Sequence, residues 1–372
     1  MYRAVFQYRR AFYEGLRERL DAMGIDLELI YGAPNDADRK KRDFLDVSWG
    51  HPIRNRVFRF GSVELFWQPC LHLLRGADLV IVEQANKLLV NLVLIAMRSA
   101  SPRRLAFWGH GKDFQASWQR PRLRDAFKRL VATRVDWWFA YNETAKRIVL
   151  GLGFPAERIT SVQNAIDTSE LRRFRAETRP EELPALREKL GISGRHVCIY
   201  AGGMYPEKRL DFLVEACTLT RQMDPEFEMI FIGAGSDDKL VTAAATKYPW
   251  IHYVGPKFDR EKVPYFMISR LLLMPGLVGL VVLDSFALGV PLVTTRIPYH
   301  SPEIEYLEHG ENGWMVEEAD SVQAFALATK RLLEDEATLA RLAAGCERAA
   351  LRYTNEEMVE RFANGIRGAL AS

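Results

Sequence analysis

One stretch in the second half of the chain places glycines beside cations, a combination that suits an anionic ligand. In YAGGMYPEKRLDFLVEA (200–216), a predicted strand ends at Gly202 and Gly203, and Lys208 and Arg209 stand where a helix begins. Cations and free backbone N–H groups at a helix N-terminus bind phosphate. A solvated helix start explains this stretch, taken alone, equally well.

FIGAGSD (231–237) is a second turn of this kind after a strand. Gly233 and Gly235 allow the backbone to approach a ligand closely, because glycine has no Cβ. A tight turn within the chain is the commoner reason for such a pair.

A third stretch, MPGLVGLVVLDSFALGVP (274–291), contains one carboxylate in an apolar run. The chain is predicted to turn through Gly279 into a helix that ends near Leu288, and the amides near Gly279 and Leu280 would suit a diphosphate. Asp284 lies one turn further along. Burying it unpaired is costly, so it either holds the hydroxyls of a ribose or pairs with a neighbouring cation or amide.

Two further polar side chains follow predicted strands. His110 stands between two glycines in FWGHGKDFQ (107–115), and Glu303 follows a strand-end loop in IPYHSPEIEYLEHGENGWMVEEAD (297–320). A lone histidine is usually structural, although one at the carboxyl end of a strand is a better candidate for chemistry than most.

Alternating strands and helices predict the elements that position these residues. Predicted strands lie at 26–31, 77–83, 104–109, 136–141, 196–203, 227–235, 250–255, 271–275 and 291–295. Helices are predicted between them, for example over 12–23 and 123–133, whereas the charged segment 168–192 reads as a linker with one helix. This alternation predicts an α/β protein with two Rossmann-like domains facing across a cleft, in which ligands bind beyond the carboxyl ends of the strands.

Composition agrees with a globular protein of two domains. The chain has 372 residues, of which 48% are hydrophobic and 27% charged. The four cysteines, at positions 70, 198, 217 and 346, form no CxxC pair, which argues against a zinc site or a disulfide framework and favours a reducing cytoplasm. No signal peptide and no membrane-spanning stretch is expected.

Charge is distributed unevenly along the chain. Residues 1–150 have a net charge of +10 and the remainder −7. The basic half could face anionic lipid, nucleic acid or a phosphorylated substrate.

On these motifs the second half resembles the retaining GT-B glycosyltransferases of family 4. GGMYPEK resembles the family's GRLxxxK-like segment, with Lys208 matching its lysine and Gly203 standing where arginine is usual. The family's pair of glutamates, separated by seven residues, falls on Gly276 and Asp284. The segment SPEIEYLEHGENGWMV is similar to the family's GGxPEI…GxNGxLV run at Pro302, Glu303, Ile304, Gly310, Asn312 and Gly313.

The first half resembles the same family more loosely. QYRRAFYEGL (7–16) is similar to the family's YRxxFYExL opening, near the acceptor side. His110 stands where the family often has a histidine near the transferred sugar, and VQNAIDT (162–168) resembles the usual strand leading into the linker.

The resemblance implies a retaining glycosyltransferase that moves a sugar from a nucleotide-sugar donor to a glycan, glycolipid or small-molecule acceptor, in cell-surface polysaccharide or glycoconjugate synthesis. It implies an acceptor-side Rossmann-like domain over 1–170, a linker over 171–192, a nucleotide-sugar-binding domain over 193–354, and a C-terminal helix over 355–372 that packs back on the first domain.

The resemblance also implies roles for the candidate residues. The expected catalytic residues are His110 near the donor sugar, Lys208 at the diphosphate and Glu303 at a hydroxyl or a loop. The expected donor-binding residues are Gly202, Gly203, Lys208, Arg209, Gly233, Gly235, Gly279, Leu280, Asp284 and Glu303. No cofactor and no metal is expected, because no DxD-type carboxylate pair is placed for one.

Two other functions stay open at this point. A non-catalytic GT-B protein, acting as a nucleotide-sugar-binding or assembly subunit, would explain the missing arginine and first glutamate. A nucleotide-sugar epimerase on the same fold would need acid and base groups beyond His110.

The acceptor side leaves two interpretations open. The segment 117–134 places cations among apolar and aromatic residues and could lie on an anionic membrane, although a solvated helix face explains it equally well. A cytoplasmic protein without a nucleic-acid partner is expected, and peripheral binding to the inner face of the membrane is left open as an alternative.

Overall fold

The structure is a computed structural model, which describes residues 1–372 apart from Arg3, 34–44, Ser62, Asn86 and 112–130. The chain divides into two compact units. Unit 1 comprises Met1–Asp167 and Asn355–Ser372, and unit 2 comprises Thr168–Thr354. Each unit has a parallel sheet with helices, so the α/β class predicted from the sequence is confirmed.

Unit 1 is built on a parallel four-stranded sheet. Its described strands are β1 (Ile30–Gly32), β2 (His51–Ile53), β3 (Arg56–Phe60), β4 (Val63–Trp67), β5 (Leu79–Glu83), β6 (Arg104–Gly109), β7 (Trp137–Ala140) and β8 (Ile159–Ser161). Its described helices before residue 168 are α1 (Arg10–Asp21), α2 (Leu89–Met97) and α3 (Glu143–Gly151). The sheet order is β5-β6-β7-β8, while β1 pairs with β2 in parallel and β3 with β4 as an antiparallel hairpin. The four residues of β7 are all buried, as expected for a parallel sheet covered on both faces.

Three predictions for unit 1 differ from the structure or lie outside the described residues. The strand predicted over 26–31 begins only at Ile30, which is the first residue that pairs with β2. VQNAIDT contains no strand; β8 ends at Ser161, just before it. The helix predicted over 123–133 and the basic segment 117–134 lie mostly within 112–130, outside the described residues.

Unit 2 is built on a parallel six-stranded sheet. Its strands are β9 (His196–Ala201), β10 (Phe227–Ile232), β11 (Ile251–Tyr253), β12 (Leu271–Leu273), β13 (Leu292–Thr295) and β14 (Gly313–Val316). Its helices are α4 (Ser169–Glu177), α5 (Glu182–Leu190), α6 (Leu210–Met223), α7 (Asp238–Lys247), α8 (Val263–Met267), α9 (Val281–Leu288), α10 (Val322–Glu334) and α11 (Glu336–Arg352). The strand order is β11-β10-β9-β12-β13-β14.

This strand order identifies where a ligand would bind in unit 2. From β9 the chain proceeds to β10 and β11 on one side, then crosses back to β12, β13 and β14 on the other. The order therefore reverses between β9 and β12. Ligands of open parallel sheets bind at such a switch point, beyond the carboxyl ends of the strands.

The segment 168–192 differs from the single-helix linker that the sequence predicted. It forms two helices, α4 and α5, and both belong to unit 2. The break follows from Pro180, which lacks an N–H group and disfavours helical backbone in the residue before it. α4 packs against α8 and α9, so this segment is part of the folded unit.

The last helix, α12 (Asn355–Ala371), returns the chain to unit 1. Its Phe362 ring stacks on Phe139 at 4.3 Å between centroids and meets Phe12 edge-on at 5.3 Å. Arg19 donates two hydrogen bonds to Glu360, at 2.6 and 2.9 Å. Among the described residues, no helix is long and apolar enough to cross a bilayer.

Candidate active site

Three strand-end loops of unit 2 are joined by backbone hydrogen bonds. The Gly202 N–H donates to Ile232, and the Gly233 N–H donates to Gly255, at 3.0 and 3.1 Å. A Cβ on Gly233 would lie 1.8 Å from the Gly202 oxygen, and one on Gly235 would lie 2.0 Å from the Met204 oxygen. Contact between neighbouring loops thus already requires both glycines.

Lys208 lies in the short 3-10 helix Pro206–Lys208 after β9 and is buried. Its ammonium group donates to the Leu277 carbonyl in the loop after β12 and lies 3.9 Å from the Met274 sulfur. Burial lowers the pKa of Lys208 to about 8. The lysine therefore joins the loops after β9 and β12, the two strands that flank the switch point.

Gly276, at the position of the family's first glutamate, is enclosed by the same turn. A Cβ there would lie 2.4 Å from the Glu207 oxygen and 2.5 Å from the Lys208 oxygen. The Leu277 N–H also donates to the Glu207 oxygen, at 2.8 Å. These are backbone atoms, so the loops as they stand have no room for a glutamate side chain.

Gly203, where the family usually has arginine, lies beside an aromatic ring. A Cβ on Gly203 would be 2.4 Å from the ring of Tyr205. The Tyr200 hydroxyl donates to the Gly203 oxygen at 2.6 Å, which holds this loop against β9. The Lys208 ammonium lies 5.5 Å from the centre of the Tyr205 ring.

A buried histidine holds the loop after β12 from the other side. The Val278 N–H donates to His300 Nδ1 at 3.1 Å, and His300 Nε2 donates to the Thr295 oxygen at 2.7 Å. Nδ1 can accept only when the ring is neutral, so protonation of His300 would break the bond from Val278. Burial, together with the positive charge of Lys208, lowers the pKa of His300 to about 4, against the opposing effect of the hydrogen bond to Thr295.

Asp284 lies in the first turn of α9, where the helix dipole favours a negative charge. Its Oδ2 accepts a hydrogen bond from Lys262 at 2.7 Å, so the pairing alternative raised by the sequence is present. Its Oδ1 is buried and has no hydrogen-bond partner among the described residues. The carboxylate thus keeps one unused acceptor. The predicted end of this helix is confirmed, because Gly289 closes α9 in a left-handed conformation with φ of 67°.

The other donor-binding candidates of unit 2 differ in their burial and in the contacts they make. Gly279 and Leu280 directly precede α9, and a Cβ on Gly279 would meet nothing closer than the Ser301 hydroxyl at 3.6 Å. Glu303 is buried in the short helix Pro302–Tyr306. Arg209 donates to the Ala319 oxygen and to Asp320, at 2.7 and 2.9 Å, so the loop after β14 already engages its guanidinium.

His110 belongs to unit 1, directly after β6. Its ring meets the Tyr141 ring edge-on, with centroids 4.0 Å apart. The Tyr141 hydroxyl in turn shares a 2.8 Å hydrogen bond with the Tyr2 hydroxyl. A hydrogen-bonded aromatic pair therefore fixes the position of this histidine.

Sequence reasoning missed Lys262 and His300. Lys262 is 22 residues from its partner, and no local pattern links the two. His300 could have been predicted as a site residue, because it lies near Glu303 in the stretch IPYHSPEI. Within the described residues, no group of three His, Cys, Asp or Glu side chains is placed to hold a metal.

A lysine, a helix N-terminus and an acid at the switch point of a Rossmann-like sheet have the chemistry of the class of sites that bind nucleotides. Comparison with known proteins identifies the family. Residues 12–170 match the model described as glycosyltransferase family 4, and residues 195–335 match that described as glycosyl transferases group 1. The chain belongs to this family of GT-B glycosyltransferases.

Individual proteins are similar to the chain at lower identity. It is 28% identical to the amylovoran biosynthesis glycosyltransferase AmsK of Erwinia amylovora, over 54% of the chain and 49% of that protein. It is 26% identical to the putative glycosyltransferase EpsD of Bacillus subtilis, over 64% of the chain and 62% of that protein. The match thus spans less than two thirds of either relative.

Among solved structures, HepE of Anabaena in complex with UDP has the same fold, with a TM-score of 0.71. The match covers 98% of both chains at 17% identity, which establishes the fold alone.

Proposed function

We propose that the chain transfers a sugar from a nucleotide-sugar donor to a glycan, glycolipid or small-molecule acceptor with retention of anomeric configuration. The observation that carries this proposal is the grouping of Lys208, the N-terminus of α9 and Asp284 around the switch point of unit 2. The donor diphosphate would lie against the Lys208 ammonium and the amides of Gly279 and Leu280. The ribose would reach the unused oxygen of Asp284.

The proposed chemistry is one substitution at the anomeric carbon. The bond from this carbon to the diphosphate oxygen breaks, and a bond to the acceptor oxygen forms on the same face. The acceptor proton passes to the departing diphosphate, so no separate base is needed. Lys208 would stabilise the charge that grows on the diphosphate in the transition state. We propose that transfer needs no metal or cofactor.

The named relatives agree with this role. HepE has been solved with UDP and with UDP-glucose, and AmsK is named for amylovoran biosynthesis. We accordingly place the reaction in the synthesis of a cell-surface polysaccharide or glycoconjugate. His110 in unit 1 and Glu303 in unit 2 remain the predicted contacts of the transferred sugar.

The test is a screen of UDP-, GDP-, ADP- and dTDP-sugars, read out as release of the nucleoside diphosphate. We expect one donor to support turnover with an acceptor or slow hydrolysis without one. Tight binding of a nucleotide sugar without any turnover would instead support the non-catalytic alternative, which the enclosed Gly203 and Gly276 favour. No binding to any donor would contradict the proposal.

We also propose that unit 1 binds an anionic membrane, in the cytoplasm at its inner face, through the β3–β4 hairpin. Phe58 and Phe60 are 44% and 66% exposed. They share one face of the hairpin with Arg56, because alternate strand residues point the same way. Exposed aromatic rings beside a cation match the chemistry of an anionic lipid interface.

The opposite face of the hairpin contains Phe66, which is buried and so attaches the hairpin to unit 1. Replacing Phe58 and Phe60 together by serine should abolish co-sedimentation with phosphatidylglycerol vesicles without changing the melting temperature. Leu351→Ser, at an apolar side chain of unit 2 that is 71% exposed, is the matched control and should bind normally. Equal binding of the wild type to phosphatidylcholine, or unchanged binding of the double variant, would contradict the hairpin assignment.

A further inference from the structure

Lys262 lies at the end of the short helix Asp259–Lys262, in the connection between β11 and α8. This connection leaves the carboxyl end of β11, at the same edge of the sheet as the loops after β9 and β10. The Gly255 oxygen in it accepts the Gly233 N–H. Lys262 reaches from there to Asp284 on the other side of the switch point.

We propose that Lys262 is a ligand-contacting residue that binds a ribose hydroxyl of the donor together with Asp284. This inference rests on the proposed function, since it assumes that unit 2 binds a nucleoside diphosphate. It adds a basic residue to the ribose site, in which the sequence motifs indicate only an acidic residue.

The chemistry of a hydroxyl group supports the assignment. A hydroxyl donates one hydrogen bond and accepts others, whereas a carboxylate only accepts and an ammonium only donates. Asp284 Oδ1 is an acceptor without a partner, and it belongs to the carboxylate whose Oδ2 receives one of the three Lys262 protons. A hydroxyl beside this pair can donate to Oδ1 and accept from Lys262.

Burial explains why the pair needs such a ligand. The side chains of Lys262 and Asp284 are 17% and 12% exposed. A buried acceptor left without a hydrogen bond costs free energy, because it has lost its contact with water. A ribose hydroxyl removes this cost, so part of the binding free energy comes from a site that is unsatisfied when empty.

The substitution of aspartate for the family's second glutamate fits the same account. Aspartate is shorter by one methylene and lies in the first turn of α9. An ammonium group beside it brings a second polar group to the hydroxyl, which would offset the shorter reach of the acid.

The experiment compares UDP, GDP and ADP with their 2′-deoxy and 3′-deoxy forms by calorimetry. The wild type should prefer the ribose form of the nucleotide it binds over at least one deoxy form. In Lys262→Met this preference should fall by about tenfold, and Lys262→Arg, which keeps a cation and donors, should retain part of it. Arg260→Met, on the same short helix with its guanidinium 5.5 Å from the centre of the Phe174 ring, is the matched control and should keep the full preference.

The outcomes separate this inference from the proposed function. Wild-type binding with an unchanged ribose preference in Lys262→Met would overturn the Lys262 assignment and leave the proposed function standing. If Lys262→Met does not fold, Lys262→Gln replaces it, and an unchanged preference in that variant has the same meaning. Failure of the wild type to bind UDP, GDP or ADP would overturn the Lys262 assignment, and failure to bind dTDP as well would overturn the proposed function too.

Discussion

From the lowered pKa of Lys208 we predict that the affinity of the protein for a nucleoside diphosphate depends on pH. The pKa of this buried ammonium is about 8 in the free protein. At pH 7 about nine tenths of the molecules therefore have a charged Lys208, and at pH 9 about one tenth do. A diphosphate beside the ammonium would raise its pKa, so binding takes up a proton above pH 8.

This proton uptake sets the size of the effect. If only the charged form binds well, affinity for a nucleoside diphosphate falls about tenfold between pH 7 and pH 9, which is about 1.4 kcal/mol. Titration calorimetry at pH 7, 8 and 9, in two buffers with different ionisation enthalpies, measures both the affinity and the proton uptake.

Two variants provide the controls. Lys208→Met should bind the nucleotide weakly at every pH and lose the pH dependence. Lys239→Met, which replaces an exposed lysine of unit 2, should bind as the wild type does. An affinity of the wild type that is the same at pH 7 and pH 9, with no proton uptake, would refute contact between Lys208 and the diphosphate.

Three further predictions concern stability and turnover. Gly276→Ala should lower the free energy of unfolding by about 2–4 kcal/mol in urea, because its Cβ would overlap backbone atoms, whereas Gly151→Ala, with nothing within 4 Å, should not destabilise. The pKa of His300 lies below its ordinary value of 6.5, so the stability that the neutral ring contributes is lost as pH falls from 6.5 towards 4, by up to about 3 kcal/mol. In urea unfolding, the free energy of unfolding of His300→Gln should fall less over this pH range than that of the wild type. An equal fall in the two proteins would contradict this. Glu303→Ala and His110→Ala should each lower turnover about 100-fold while the nucleotide affinity stays nearly unchanged. Near-normal turnover in both variants would contradict their assignment as contacts of the transferred sugar.

The sequence predicted the central strands of both sheets well, because buried parallel strands are continuous apolar runs. β6 spans Arg104–Gly109, as predicted, and β10 and β13 differ from their predicted ranges by a few residues at most. The β3–β4 hairpin was missed, because its exposed phenylalanines and arginines lack the pattern of a half-buried strand. The segment 168–192 was predicted to contain one helix. Its many charged residues made the helix that packs on α9, α4, difficult to recognise from the sequence.

The site could be predicted only where local sequence fixes local structure. The turn at Gly279 and the helix with Asp284 follow from spacing and from Gly289. The reason for Gly276 could not be found this way, because the atoms that exclude its Cβ belong to Glu207 and Lys208, nearly 70 residues earlier. Contacts between distant loops of this kind are set by the sheet order, which the strand pattern alone leaves open.

The most direct test of nucleotide binding in unit 2 is calorimetric titration of the wild type and Asp284→Asn with UDP, GDP, ADP and dTDP. We predict that the wild type binds one of them and that folded Asp284→Asn binds it more weakly by about 1–3 kcal/mol, with a lower melting temperature because the largely buried Lys262 loses its charged partner. Equal affinity in the two proteins would make Asp284 a structural partner of Lys262 alone, and absence of binding to all four would contradict the account.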